Sequence, residues 1–175
     1  MKFQIFNFKF LISNKSRAPQ AGFTILETVI VVAIFLTLIA LISPAIFNIQ
    51  SSSTKDSITE TLLADIKNQQ IKSMTGDTEG RGTPDFYGVY IQPSYYVLFH
   101  GQNYSPSEPT NFTTQIDNQF TLTTTFTQTQ IVFATQSGEI NGFIPAQNSI
   151  TVQEIRTGQQ KVIQLNKYGT ITSVN

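Results

Sequence analysis

At 175 residues, with eleven basic and eleven acidic side chains, the chain has the length of one domain with an appendage and no net charge. It has no cysteine, which excludes disulfide staples, thiolate metal sites and a cysteine nucleophile; the single histidine, His100, makes the usual metal and triad constellations hard to build. Charged residues make up only 13% while Thr, Gln, Asn and Ser are plentiful, a polarity without charge that suits an exported β-rich surface better than a cytosolic enzyme.

The first element in chain order is a basic leader. Residues 1–22 carry Lys2, Lys9, Lys15 and Arg17 and no acid, for a charge of +4, whereas residues 23–175 sum to −4. A basic segment before an apolar run keeps its own side in the cytoplasm, so the remainder is expected outside it. The run itself, Phe23 to Ile42, is twenty residues, or about 30 Å as a helix, enough to cross a hydrocarbon core. It exceeds the roughly 7–15 residues of a cleavable secretory signal, and Ser43-Pro44-Ala45 is a poor cleavage site. Within the run sits one ionisable residue, Glu27. An isolated carboxylate in hydrocarbon must find a partner or lose its charge. In an ordinary anchor it would instead lie hydrated among the headgroups.

The helical pattern continues past the apolar run. Ile58, Leu62, Leu63 and Ile66 form a stripe, extended to Ile71 and Met74, while Lys55, Asp56, Glu60, Asp65 and Lys67 occupy other faces. One helix is therefore predicted from Phe23 to Met74, on the order of 75–80 Å long. Pro44 cannot donate to the Ala40 carbonyl, so a kink or local melting is expected there, although prolines also occur in ordinary membrane helices.

Gly76, Gly80, Gly82 and Pro84 end the helix and predict a loop over 75–85. Beyond it the period becomes two. "FYGVYIQPSYYVLFHG" predicts a hairpin with strands near 86–92 and 95–100 around Gln92-Pro93-Ser94, followed by a polar loop with Pro106 and Pro109. "FTLTTTF" puts Phe120, Leu122 and Phe126 on one face, and "QIVFAT" is read as its partner strand. Further strands are predicted at 149–155, 160–166 and 170–174, with Gly158 in the turn between the first two. The expected head is a helix packed on an antiparallel sheet.

The head offers few chemical candidates. His100 has no nucleophile motif near it and reads as a structural or exposed strand residue. Asp77, Glu79 and Asp85 are close enough in sequence to hold calcium, but their spacing matches no EF-hand and a flexible polar loop is the simpler reading. Tyr87, Tyr90, Tyr95, Tyr96 and Phe99 alternate, which predicts half of them in the core and the rest as an exposed contact patch.

The sharpest signal is the pattern G-F-T-I-L-E at Gly22 to Glu27, after a basic leader, before an apolar span, and with Pro44 twenty-second counting from Phe23. It resembles the N-terminal processing motif of the type IV pilin and type II secretion pseudopilin family. The resemblance implies cleavage between Gly22 and Phe23 by a prepilin peptidase, N-methylation of Phe23, and pairing of Glu27 with the terminal amine of a neighbouring subunit during assembly. It also implies a helix break at Pro44 that lends a filament elasticity. "FYGVYIQPSYYVLFHG" and "ITVQEIRTGQQKVIQLNKYGTITS" are similar to the heads of GspH/FimT-like minor pseudopilins, the corresponding pieces being Asp65 to Gln70, Gly88-Val89-Tyr90 and Tyr168-Gly169-Thr170. Some FimT-like proteins bind DNA through a basic C-terminal Gly-Arg motif. Here Thr170 follows Gly169, and the basic candidates Arg156, Lys161 and Lys167 sit on a mature chain of −4, so DNA is not expected as a partner.

The expected protein is α+β, a pilin fold with a long N-terminal helix on an antiparallel β head. Its segments are a leader (1–22), a transmembrane and polymerisation helix (23–43), an amphipathic helix half (44–74) and a β head (75–175). It is expected to be a structural subunit without catalytic residues, metal or cofactor. The cell-surface or periplasmic head would be held by a single pass through the inner membrane before assembly into a pilus or pseudopilus. Expected partners are the prepilin peptidase, other pilin or pseudopilin subunits, the inner-membrane assembly platform and lipid. The alternative is a membrane-anchored surface binding module, an adhesin or DNA-uptake pilin, that does not act mainly by polymerising.

Overall fold

In the computed structural model the described residues are 22–175, with side chains described for all of them except 41–51. The basic leader through Ala21 and the kink expected at Pro44 fall outside the described residues and side chains respectively. The chain divides into two compact units, Met1–Pro44 and Ala45–Asn175. One helix, α1 (Ile25–Thr75), contributes to both.

In the first unit every described side chain from Gly22 to Ala40 is exposed. Phe23 is 80% and Ile25 86% exposed, and valines, isoleucines and leucines point outward on all sides. Such a surface is not stable in water without a cover. Among the described residues no helix is long and apolar enough to cross a membrane.

The second unit is α+β and holds eight strands in two antiparallel sheets, where one sheet was expected. Strands β1 (Tyr87–Gln92), β2 (Tyr95–His100), β3 (Phe112–Gln115) and β5 (Gln130–Phe133) form the first, in the order β3-β2-β1-β5. Strands β4 (Phe120–Thr124), β6 (Ser149–Glu154), β7 (Gln160–Leu165) and β8 (Ile171–Val174) form the second, in the order β4-β6-β7-β8. The predicted hairpin is present, with Gln92 opposite Tyr95 across the turn. The predicted pairing of "FTLTTTF" with "QIVFAT" is not. β4 pairs with β6, and β5 pairs with β1. Alternation specifies which face of a strand is buried, as it does for Phe120, Leu122 and Phe126, but carries no information about the partner. Between the two strands a short 3-10 turn, Thr127–Thr129, holds Gln128 and Thr129 at φ 55° and redirects the chain from one sheet to the other. β3 lies within the stretch read as polar loop; it is a four-residue edge strand with mostly exposed side chains, so no apolar period marks it.

A single core joins the helix and both sheets. Leu62 and Ile66 pack with Val89, Ile91 and Ile131 of the first sheet and with Leu122, Ile150, Val152, Ile163 and Leu165 of the second. Ile58 and Leu63 flank it half-buried, but Ile71 and Met74 do not continue the stripe; they are about half exposed. In their place the last turns of α1 bury Gln69, Gln70 and Ser73. Gln69 Nε2 donates to the Gly88 carbonyl at 2.9 Å and to the Phe99 carbonyl at 3.3 Å. Gln70 Nε2 donates to the Gly138 (2.9 Å) and Tyr168 (2.6 Å) carbonyls, and Ser73 Oγ to that of Phe133 (2.9 Å). Buried polar atoms require such partners, and here the pairing ties one helix end to backbone from both sheets. The helix then stops in a Schellman arrangement: Gly76 at φ 65°, Asp77 N–H on the Lys72 carbonyl (2.9 Å) and Gly76 N–H on that of Ser73 (3.3 Å).

Candidate functional site

The N-terminal end of α1 is built from five residues. Gly22, Phe23 and Thr24 precede the helix without regular structure, so the Gly22–Phe23 bond lies in exposed, non-helical backbone. Thr24 is the N-cap: its Oγ1 accepts the Glu27 N–H at 3.2 Å and its carbonyl accepts the Thr28 N–H at 3.1 Å. Thr24 and Glu27 thus have the spacing of a capping box, and the Glu27 carboxylate sits in the first turn, where the helix dipole favours negative charge. That side chain is exposed and has no ion-pair partner among the described residues. The local structure therefore holds a carboxylate one helical turn from residue 23, with its acceptor oxygens available. The capping role of Thr24 was not anticipated from the sequence, although T-x-x-E is itself a legible signal.

Other sequence candidates resolve into local pairings. Glu79 accepts from Lys72 (2.6 Å) and Arg81 (2.8 Å); burial alone would raise its pKa, but these two cations outweigh it and hold the carboxyl below its ordinary value. Asp77 Oδ1 caps the Glu79 N–H at 2.9 Å. Asp85 is 2.9 Å from His100 Nδ1, and Glu108 lies 3.4 Å from Nε2 without hydrogen bonding to it. Among the described residues no group of three His, Asp or Glu side chains could hold a metal ion. Tyr87, Tyr96 and Phe99 are buried, as expected for half of the aromatic set; the remaining two, Tyr90 and Tyr95, are half-buried and not an open patch, with Tyr90 stacked on Tyr104 at 4.1 Å. Burial and the Asp65 carboxylate, 2.6 Å away, keep the proton on the Tyr96 phenol. The basic candidates each face an acid: Lys161 with Asp56 (2.7 Å), Lys167 with Glu139 (3.0 Å), and Arg156 with the buried Glu154 (3.3 Å).

No curated protein and no solved structure matches the chain. Residues 17–43 match the family described as Prokaryotic N-terminal methylation motif, a segment that contains the Gly22–Phe23 bond, Glu27 and the apolar stretch. This match indicates a type IV pilin-like precursor.

Proposed function

We propose that the protein is a minor pilin or pseudopilin that assembles into a type IV pilus or type II secretion pseudopilus. A prepilin peptidase cuts between Gly22 and Phe23, and Phe23 is then N-methylated. Residues 23–43 anchor the subunit as a single pass in the inner membrane and later form the filament core. Residues 44–74 carry the amphipathic half of the helix, with a bend at Pro44, and residues 75–175 form the β head outside the cytoplasm. The head is assigned to the GspH/FimT-like group. Its partners are other subunits, the assembly platform and lipid, with no catalytic step of its own. The observation that carries this reading is the methylation motif at 17–43 overlapping the start of a helix whose described residues up to Ala40 are exposed and predominantly apolar.

The role of Glu27 follows from charge. Cleavage creates a cationic amine at residue 23, and methylation preserves it. A buried carboxylate–ammonium pair adds little net stability, but a lone buried charge costs roughly 3–5 kcal/mol. The pair therefore enforces register between subunits more than it strengthens them. Glu27→Gln removes the charge while keeping the capping geometry at Thr24. In the native host we expect the variant to be cleaved and methylated but absent from filaments seen by electron microscopy. Normal incorporation of the variant would refute the role.

A further inference from the structure

Beside edge strand β5 the head has a groove of about 290 Å³ between the 102–103 loop, the 126–130 turn and the 140–147 loop. Its walls carry six carboxamides, from Gln102, Asn103, Gln128, Gln130, Asn141 and Gln147. Its apolar surface comes from Phe126, Val132, Ile140 and Ile144, and none of its lining side chains is ionisable. We propose that this groove binds a short, uncharged saccharide, a property separate from assembly.

Three features support that ligand class. First, an ion entering the groove would lose hydration and meet no opposite charge, which disfavours phosphate, carboxylate or ammonium ligands. Second, a free carboxamide offers an acceptor and two donors, which matches sugar hydroxyls that both donate and accept, and Gln102 and Asn141 present theirs uncommitted, whereas Gln130 is spent on neighbouring groups. The apolar residues complement the C–H face of a sugar ring, and the volume is at the small end of ligand sites (~300–1,000 Å³). Third, the outer edge of β5 is already occupied. Phe133 bridges to Ile140, and the Asn141 N–H donates to the Val132 carbonyl at 2.8 Å. A peptide therefore cannot add a strand there, and recognition falls to side chains.

The groove is also held in shape before any ligand arrives. Gln130 Nε2 donates to Asn103 Oδ1 and to Gln128 Oε1, both at 3.2 Å, and its Oε1 accepts the Tyr104 N–H at 3.0 Å. The Tyr104 ring stacks on Tyr90, pinning the loop that carries Gln102 and Asn103. Gln128 and Thr129 both sit at φ 55°, a region that a β-branched residue rarely occupies, and such strain recurs at binding sites. Gln102 and Asn141, by contrast, are exposed and their carboxamides have no partner among the described residues.

The test uses the full chain in a detergent without sugar headgroups, screened on a glycan array and then titrated with the best neutral oligosaccharide by calorimetry. We expect binding to a neutral saccharide that falls at least tenfold, about 1.4 kcal/mol, in Gln102→Ala with Asn141→Ala. Thermal melting of the double variant verifies its fold. A photoactivatable derivative of the same saccharide gives a mutation-independent readout, with label expected on the 128–130 or 141–147 segments. No binding on the array, binding only of acidic glycans, affinity unchanged in the double variant, label elsewhere, or displacement of the sugar by neutral peptides would each overturn the proposal. Loss of the groove leaves N-methylation and filament formation unaffected, so this failure is distinguishable from failure of the assembly reading.

Discussion

Replacing Gln70 with alanine removes a buried polar tie between the helix and the turns that carry Gly138 and Tyr168. The Gln70 side chain donates to the Gly138 and Tyr168 carbonyls and accepts from Lys67 Nζ at 2.8 Å. Gly138 and Gly169 are both buried at positive φ, and a Cβ on Gly169 would run into the Gln70 carboxamide, so the turns are shaped around this side chain. Truncation leaves two carbonyls short of a donor, each costing about 1–3 kcal/mol if water cannot reach it. Because the Tyr168 contact is only partly buried, water recovers some of that loss, and about 2–4 kcal/mol is expected in total. The Lys67 contact adds little, since Lys67 is exposed. Urea unfolding of the full chain, followed by near-UV circular dichroism of the tyrosines, measures the change. Gln70→Glu should be worse than alanine, because it aims an acceptor at two acceptors. A loss below about 0.5 kcal/mol for alanine, or a glutamate variant as stable as wild type, would refute the reasoning.

Two further perturbations read other parts of the fold. Gly88→Ala places a Cβ 2.5 Å from the Phe99 ring and 2.7 Å from the Ile131 carbonyl oxygen in the middle of the first sheet. With backbone on one side it cannot be relieved by a rotamer change, so a loss of about 1–3 kcal/mol or more is expected, visible as a lower melting temperature. Asp56→Asn tests the ion pair with Lys161: the Lys161 hydrogen bond holds the Asp56 carboxyl below its ordinary pKa. A carboxyl depressed on folding adds stability above its unfolded pKa and loses it as pH falls through the folded value. The variant should therefore be less stable than wild type at pH 7 by under about 1 kcal/mol, since the pair is exposed, with the difference vanishing in strong acid. A gap that widens in acid would contradict the assignment.

The sequence was most informative where a single periodicity decides the outcome. Leu62 and Ile66 are buried as the helical stripe predicts, and the β1–β2 hairpin turns at Pro93-Ser94 because proline cannot serve a ladder. The motif at Gly22 to Glu27 was legible because processing reads a short linear segment. What escaped depended on contacts between distant residues. Gln69, Gln70 and Ser73 look like a solvated helix end, and only the carbonyls of Gly88, Gly138, Phe133 and Tyr168 make their burial favourable. The exchange of partners by β4 and β5 turns on two left-handed residues, Gln128 and Thr129, neither of which is glycine or asparagine. The carboxamide groove was invisible for a related reason: five of its six amides come from segments between strands and the sixth, Gln130, from the first residue of β5, and no local pattern brings them together.

In the proposed function, everything downstream depends on cleavage at Gly22–Phe23, which frees the helix for assembly. Intact-mass and N-terminal peptide mass spectrometry of the protein from its native membrane fraction tests it directly. The expected product is a chain that starts at N-methyl-Phe23 and lacks the basic leader. Recovery of a chain that retains Lys2 to Gly22, as a non-polymerising anchored module would, contradicts it.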